Sequence, residues 1–458
     1  MPRGRETGNF LWLLTVVDCR KTAHQSYDQR APGWPITRLL GATLSRFATL
    51  WTMSQTVTIN AVELFVALIA VATAAALVVR RVAVPYTVAL VVVGLIGGII
   101  DTGLEIKVPP DLILAVFLPA LVFEGGYRLD LGELRRVIWP VLLLAIPGVL
   151  VGAVVVGLVL NLTTGLPIEL GFIVGAMLAA TDPPAVLAAI KRMHAPALLT
   201  TTVEAESLFN DGTAIVVFGV AVAAVNGSVN MFDASASIVV TIVSSVLIGG
   251  VGGLIASRLL AHLDDHLIEL SVTVVLAYGT YLLADQLHES GVIATVVAAI
   301  VLGNYGRVAG MTQRTEEAVD TIWEFAAFLL TAMLFLLIGL LIALPDLLDN
   351  LVPIAWGIVG VLAARALVVY VITGGLSRLA RAPITNRGLP LGWLHIMMAA
   401  GLRGAVAVAL ALSLPDDLPE RQTLVEIVFG IILFTLIAQG LSLDTVVRRS
   451  LRRGDLPA

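Results

Sequence analysis

Thirteen stretches of about 17–25 mainly apolar residues divide this sequence and constrain its fold more than any other feature. A stretch of this length crosses the hydrocarbon core of a bilayer as a helix, in which every backbone polar group is satisfied internally. The sequence, 58% hydrophobic, therefore predicts an all-α polytopic membrane protein with about thirteen transmembrane helices. The predicted spans are 60–79, 84–100, 108–126, 137–161, 168–190, 201–225, 236–262, 266–284, 290–304, 321–343, 351–377, 389–412 and 422–444.

Basic residues give an independent test of this division, because they accumulate in cytoplasmic loops. If the C-terminal tail is cytoplasmic, the loops on that side and the tail hold seventeen Lys and Arg residues. The opposite loops hold only Lys107 and Arg421. The asymmetry predicts a multi-pass protein of the cell inner membrane with a cytoplasmic C-terminus.

The first 52 residues do not fit this orientation, because they carry seven basic residues and would lie outside. We interpret residues 1–52 as a mis-set start, with Met53 the true first residue, or as a disordered extension. A signal peptide is the alternative, but Asp18 and Cys19 make no convincing cleavage site. The predicted organisation is completed by a transmembrane exchanger domain, 53–446, and a short basic tail, 447–458.

Composition excludes several kinds of partner and site. Cys19 is the only cysteine, so neither an intrachain disulfide nor a cysteine-based metal site can form. The formal net charge is −5 and no long basic block exists, which argues against nucleic acid as a partner. We expect no cofactor.

Two of the predicted spans are interrupted. The fifth contains "ATDPPAV", with adjacent prolines, and the twelfth contains "AAGLRGAVAV", with glycines on both sides of Arg403. The two spans lie seven apart and so cross in opposite directions. Matching breaks in oppositely oriented halves predict inverted repeats, with two broken crossing helices that meet near the middle of the bilayer.

Charged residues within the spans are few, and each needs a partner or a purpose, because an ionised group at the bilayer centre costs at least about 2.5–3.5 kcal/mol. The candidates are Glu124, Asp182, Glu206, Asp211, Arg365 and Arg403, with Glu204 nearer a span end.

The segment "EAESLFNDGT" contains the strongest candidate site. Ser207, Asn210 and Asp211 share one helical face, and their oxygens suit a monovalent cation. Asp182 precedes the two prolines of the fifth span, which free carbonyls such as that of Thr181 to act as ligands. The alternatives are that Asp182 caps the broken helix and that Asp211 is only a hydrogen-bonded aspartate between helices.

Glu206 is predicted to pair with Arg365. On a helix it points about 100° away from Ser207, so it does not belong to the same ion site. Arg365 is always charged and needs a buried carboxylate, unless it extends to the cytoplasmic surface instead. We interpret His395, in the twelfth span, as a packing residue rather than a proton sensor.

Four motifs in register resemble one family. The motifs "FLPALVFEGG", "TDPPAV", "EAESLFNDGTA" and "GLRGAVAVALAL" together resemble bacterial sodium/proton antiporters of the NhaP type. These belong to the monovalent cation:proton antiporters and are related to the animal sodium/proton exchangers. The resemblance covers residues 60–444. It implies an antiporter fold with a dimerisation domain and a mobile six-helix core domain, a homodimer, and an elevator-like movement of the bound ion.

The resemblance also implies roles for individual residues. Asp211 resembles the essential ion- and proton-binding carboxylate, and Asp182 its partner in the broken helix. Thr181, through its carbonyl, and Ser207 resemble further ligands, so the transported Na⁺ is expected at Asp182, Asp211, Ser207 and Thr181. Asn210 stands where electrogenic relatives carry a second aspartate, which implies exchange of one cation for one proton.

Other matched positions resemble supporting residues. Glu124 resembles an auxiliary acidic group near the ion, and Glu206 and Arg365 resemble a stabilising ion pair. Arg403 lies at the second helix break, and we assign it to the architecture. Pro184 replaces the commoner valine after "TDP", so the local break is expected to differ slightly.

The predicted function is exchange of Na⁺, or of Li⁺ or K⁺, for protons, serving pH and sodium homeostasis. A proton or a cation neutralises Asp211, whereas the empty charged carboxylate crosses the barrier rarely, which couples the two fluxes. Three alternatives remain open: a potassium/proton antiporter, a cation channel with acidic residues around a pore, and an intramembrane aspartyl protease.

Overall fold

The computed structural model describes residues 66–77, 85–99, 113–182, 184–225, 231–263, 265–309, 311–379 and 389–452. The chain divides into two units, Met1–Ala67 and Leu68–Ala458. Only the last two residues of the first unit are described. The predicted extension, 1–52, lies outside the described residues, and so does the end of the predicted tail.

Within the described ranges every regular element is helical. The helices are α1 (Val66–Leu77), α2 (Tyr86–Ile99), α3 (Leu118–Arg128), α4 (Leu131–Ala145), α5 (Pro147–Thr164), α6 (Ile168–Met177), α7 (Pro184–Arg192), α8 (Ala197–Val225), α9 (Met231–Leu260), α10 (His266–Gln286), α11 (Gly291–Val301), α12 (Gln313–Leu341), α13 (Leu344–Asp349), α14 (Leu351–Ala366), α15 (Leu391–Ala399), α16 (Ala405–Leu412), α17 (Arg421–Phe434) and α18 (Gly440–Arg452). Short π-helical segments at Ile113–Phe117, Leu302–Gly306, Leu367–Thr373 and Thr435–Gln439 adjoin α3, α11, α14 and α17, and two short α-helical segments, Arg307–Ala309 and Gly374–Leu379, follow the second and third of them.

Seven helical segments in the described part of the chain are long and apolar enough to cross a membrane. The chain is therefore a multi-pass, all-helical membrane protein, the fold class that the apolar stretches predict. The count of thirteen spans stays a prediction. The seven segments are Leu131–Thr164, Ala197–Val225, Ala236–Leu260, His266–Gln286, Gln313–Leu341, Leu351–Leu376 and Arg421–Leu451.

Polar residues just before several helices fix where these helices begin. The side chain of Asp130 accepts a hydrogen bond from the backbone N–H of Glu133, and so caps α4. Ser290 caps α11 and Thr312 caps α12 in the same way. Such caps satisfy N–H groups that have no partner within the helix.

Small residues allow neighbouring helices to approach closely. A Cβ atom added to Gly94 in α2 would lie 2.2 Å from the carbonyl oxygen of Leu336 in α12. A Cβ on Gly175 in α6 would lie 2.5 Å from the carbonyl oxygen of Ala153 in α5. Contacts of this kind replace the hydrophobic driving force, which is weak between helices inside lipid.

At each of the two predicted interruptions the structure has two short helices separated by non-helical residues. Helix α6 ends at Met177 and α7 begins at Pro184, while α15 ends at Ala399 and α16 begins at Ala405. Proline suits the first turn of α7, where its missing N–H would have no helical partner. Both interruptions pack beside α8, which also contacts α4 and α11.

Candidate functional site

The two interruptions are joined by backbone and side-chain hydrogen bonds. The backbone N–H of Asp182 donates to the carbonyl oxygen of Leu402 at 2.9 Å. The Arg403 guanidinium donates to the carbonyl oxygens of Ala179 and Ala180, at 3.1 and 3.2 Å. These carbonyls follow the last turn of α6, where the chain is no longer helical. Arg403 therefore supplies hydrogen-bond donors that the broken helix lacks.

Arg403 and Asp182, the charged residues of the two interruptions, each lie at a helix end whose dipole stabilises their charge. Arg403, 5% exposed, lies at the C-terminal end of α6, where the helix dipole is negative. The Asp182 carboxylate lies against Gly404, the residue before α16, so closely that a Cβ atom on Gly404 would clash with it, and the helix dipole is positive at this end. Asp182 thus lies at the N-terminal end of the helix that follows the other interruption.

Side chains of α8 form hydrogen bonds with Thr181, which lies in the first interruption. Asn210 accepts a hydrogen bond from the Thr181 N–H at 3.3 Å and donates one to the Thr181 hydroxyl at 2.8 Å. The Ser207 hydroxyl donates to the Thr181 carbonyl oxygen. All three residues are buried, at 2–3% exposure. The Thr181 carbonyl is therefore not wholly free: one of its two lone pairs is engaged by Ser207.

A cavity of about 1000 Å³ brings most of the predicted binding residues together. Its lining includes Glu124, Thr181, Asp182, Ser207 and Asp211. Asp182 and Asp211 are each partly exposed, whereas Thr181 and Ser207 are buried beside them. The cavity extends to the exposed residues Lys191 and Arg192. It therefore connects the two aspartates with the basic end of α7.

Asn210 lies on another side of α8 from this cavity. It lines a separate small cavity with Glu206, Arg365 and Arg403. Both polar groups of its side chain are used by Thr181. Among the six residues predicted to bind cation or proton, Asn210 alone does not line the large cavity, and its contacts brace the interruption instead.

Glu206 and Arg365 form a buried ion pair between α8 and α14. Both guanidinium NH groups of Arg365 donate to the two carboxylate oxygens of Glu206, the second at 3.0 Å. Arg365 also donates to the carbonyl oxygen of Met397, in the last turn of α15, at 2.7 and 3.2 Å. Glu206 is 1% exposed and Arg365 8% exposed. Arg365 thus ties α8 to the helix end that precedes the second interruption.

Glu124 takes part in a chain of charges at the wall of the large cavity. Its carboxylate accepts from Nε of Arg128 at 2.9 Å, and Arg128 also donates to Glu324 of α12 at 3.0 Å. Glu204 lines the same cavity. Glu124 therefore has an arginine partner, and it joins the two aspartates in lining the cavity.

Sequence reasoning missed three buried or cavity-lining acids. Glu324 lines the large cavity, Glu426 accepts hydrogen bonds from Asn350 and Gln422, and Glu269 is 0% exposed with no hydrogen-bond partner among the described residues. All three fall inside predicted spans, near one end. The sequence alone could have indicated these three acids, but only charges near the centre of a span were considered as candidates.

The lining of the large cavity offers carboxylate, hydroxyl and carbonyl oxygens, which are ligands for hard cations. Among the described residues, no cluster of three or more His, Cys, Asp or Glu has metal-binding spacing. Carboxylates within the membrane beside interrupted helices are typical of secondary transporters. The fold and the site therefore define a secondary membrane transporter.

Residues 65–449 match the family described as "Sodium/hydrogen exchanger, transmembrane", and the chain belongs to that family.

Named relatives agree with this assignment. The chain is 39% identical over 373 residues to the Na⁺/H⁺ antiporter ApNhaP of Aphanothece halophytica, covering 80% of this chain and 70% of that protein. It is 38% identical over 351 residues to the Na⁺/H⁺ antiporter NhaP of Pseudomonas aeruginosa, covering 74% and 81%. The resemblance drawn from the four motifs is confirmed. The protein is a secondary transporter and not an enzyme. The interpretation as an intramembrane aspartyl protease is therefore wrong.

A solved structure shares the fold. The sodium proton antiporter MjNhaP1 from Methanocaldococcus jannaschii superimposes with a TM-score of 0.71 over 86% of this chain and 98% of that protein. The identity is 21%, so this likeness bears on the fold alone.

Proposed function

We propose that this protein exchanges Na⁺ for protons across the cytoplasmic membrane and that Asp211 and Asp182 bind the exchanged ions. The observation that carries the proposal is the cavity in which both aspartates, Ser207 and Thr181 meet beside an interrupted helix. Relatives that are 38–39% identical are named Na⁺/H⁺ antiporters, which supports Na⁺ as the cation. Na⁺ and protons are the transported substrates; exchange would serve pH and sodium homeostasis.

Coupling follows from the energetics of a charged carboxylate inside the membrane. A proton or a cation on Asp211 neutralises its charge, and the neutral site can cross the membrane barrier. An unoccupied, charged Asp211 pays a cost of at least about 2.5–3.5 kcal/mol at the bilayer centre. Because the empty site crosses rarely, each inward movement of one ion is matched by outward movement of the other.

The proposed stoichiometry is one cation for one proton. Asn210 is neutral and its side chain is already engaged with Thr181, so Asp211 and Asp182 are the ionisable groups at this point of the cavity. A dehydrated monovalent cation and a single proton would each cancel one negative charge. On this basis the exchange is electroneutral.

The proposed movement is elevator-like, within a homodimer of thirteen-span protomers that have a C-terminus in the cytoplasm. The hydrogen bonds of Asp182 and Arg403 across the two interruptions support it, because they bind both broken helices into one unit that can move together with the ion. The transmembrane part is proposed to span residues 53–446.

The test is a flux assay on purified protein in proteoliposomes that carry an acid interior and a pH-sensitive dye. Added Na⁺ should relieve quenching because Na⁺ uptake expels protons, whereas choline should have no effect. Li⁺ and K⁺ are added in parallel. A response to K⁺ alone would favour the potassium/proton antiporter, and sodium flux without proton movement would favour a channel. Absence of a response to all three cations would overturn the proposal.

A further inference from the structure

A second cavity, of about 360 Å³, lies among the π-helical segment that follows α14, the end of α15, and α18 with the segment before it. It shares no lining residue with the large cavity. Cavities of roughly 300–1000 Å³ are the usual size for small-molecule sites. Its polar lining residues are Tyr370, His395, Gln439, Ser442, Arg449 and Ser450.

A hydrogen bond between Tyr370 and His395 forms one wall of this cavity. The Tyr370 hydroxyl and His395 Nδ1 are 2.7 Å apart, and the two rings meet edge to face at 5.6 Å. When the hydroxyl donates to Nδ1, the ring proton of a neutral His395 resides on Nε2. His395 is then a donor that has one ring nitrogen engaged and the other available to a ligand.

The remaining polar groups leave the cavity positively charged and incompletely satisfied. Arg449 is exposed and forms no ion pair with the described acidic residues, in contrast to Arg192, which pairs with Asp444 at 3.0 Å. Oε1 of Gln439 is buried and has no hydrogen-bond partner in the described part of the chain. None of the described residues that line the cavity is acidic.

We propose that this cavity binds a phosphate group, carried by an anionic phospholipid or by a soluble phosphate. The Arg449 guanidinium and the Ser450 hydroxyl match anionic phosphate oxygens, while the Ser442 hydroxyl already donates to the carbonyl oxygen of Gln439 at 2.9 Å. A hydroxyl of a glycerol headgroup, or the protonated oxygen of a soluble phosphate, can donate to Oε1 of Gln439. Basic pockets between membrane helices commonly hold lipid headgroups. Val371 and Leu441, which adjoin lining residues in the chain, are 62% and 51% exposed, so acyl chains can lie alongside.

The position of this cavity links it to the second interruption. Met398 and Ala399, the last two residues of α15, line it, and the neighbouring Met397 carbonyl accepts hydrogen bonds from Arg365. A bound phosphate group would therefore contact the helix end that the Glu206–Arg365 pair holds. This binding site is separate from the proposed cation exchange, and its test does not depend on transport.

The experiment measures thermal unfolding of the full-length, delipidated protein in detergent during titration with three probes. The probes are phosphatidylglycerol, diacylglycerol with the same acyl chains, and inorganic phosphate. Phosphatidylglycerol should raise the unfolding temperature saturably, because a ligand that binds only the folded state stabilises it. Diacylglycerol should not. Stabilisation by inorganic phosphate as well would identify a soluble phosphate as a sufficient ligand.

Two variants that differ by one position separate the cavity from general surface charge. Arg449→Ala should weaken the saturable binding about tenfold, the loss expected for one charge-assisted contact. Arg448→Ala removes the same charge from an exposed neighbour that does not line the cavity, and should retain the affinity of the wild type. Ser442→Leu, which fills the cavity without changing charge, should abolish binding.

Several results would overturn the proposal. Equal weakening by Arg448→Ala and Arg449→Ala would show attraction to a basic surface only. Equal stabilisation by diacylglycerol would show that the phosphate is irrelevant, and no stabilisation by any probe would show that the site does not exist. If Arg449→Ala does not fold, unchanged affinity in Ser442→Leu overturns the proposal by itself.

Discussion

Asp211 and Glu206 are five residues apart on α8 and have opposite surroundings. Asp211 is partly exposed to the large cavity, whereas Glu206 is 1% exposed and held by both NH groups of Arg365. A carboxylate that exchanges ligands must be reachable by them. A buried carboxylate that is paired with a guanidinium, as Glu206 is, stabilises the structure instead.

Asp211→Asn is expected to abolish Na⁺-dependent proton release while the protein still folds. The amide has nearly the same shape, but it can carry neither a proton nor a compensating negative charge. The measurement is the proteoliposome dye assay, with the size-exclusion profile as the test of folding. Asp285→Asn, on an exposed part of α10 away from the cavity, is the matched control and should transport normally. Persistent exchange in Asp211→Asn would remove this residue from the mechanism.

Glu206→Ala is expected to destabilise the protein by about 3–5 kcal/mol, because it leaves the buried Arg365 charge without its carboxylate. Thermal unfolding of the purified protein measures the loss. The double variant Glu206→Ala/Arg365→Met should recover most of the unfolding temperature, because a buried pair can be replaced by apolar groups at little cost. If the single variant is as stable as the wild type, the pair has no stabilising role.

At the scale of the elements, close helix contacts depend on a few glycines. A Cβ on Gly339 of α12 would lie 2.2 Å from the Val91 carbonyl oxygen and 2.7 Å from the Leu95 backbone nitrogen of α2. Neither of these backbone atoms can move aside alone. The two helices would have to separate along their length.

Gly339→Ala is therefore expected to lower the unfolding temperature, at a cost of about 1–3 kcal/mol. Gly152→Ala in α5 is the control, because a Cβ there meets nothing within 4 Å, and alanine favours a helix by about 1 kcal/mol. Equal effects of the two substitutions would show that α2 and α12 do not need this close approach.

The positions of the two interruptions could be predicted from the sequence, but their hydrogen-bond partners could not. The consecutive prolines and the glycines around Arg403 mark where the helices stop, and the structure has non-helical stretches at both places. Which groups satisfy the freed backbone could not be derived from the sequence. The partners of Arg403 are Ala179 and Ala180, more than 220 positions away, and only packing brings them together.

At the scale of the whole molecule, the proposed one-for-one exchange predicts the same rate with and without a membrane potential. No net charge crosses when one Na⁺ replaces one proton, so the electric field does no work on the cycle. The dye assay is repeated with a K⁺ diffusion potential set by valinomycin, inside negative and then inside positive. Rates that change in opposite directions with the two polarities would show that the exchange is electrogenic.

The class of the protein follows from its amino-acid order alone, because the length and polarity of the apolar stretches require a helical bundle in lipid. The motifs determined its family and indicated Asp211, Asp182 and the Glu206–Arg365 pair. The packing of the helices was needed to show that Asn210 faces Thr181 instead of the large cavity, and that Glu324 lines that cavity. Helical periodicity gives each residue a direction around the axis of its own helix. What lies in that direction depends on how distant helices pack.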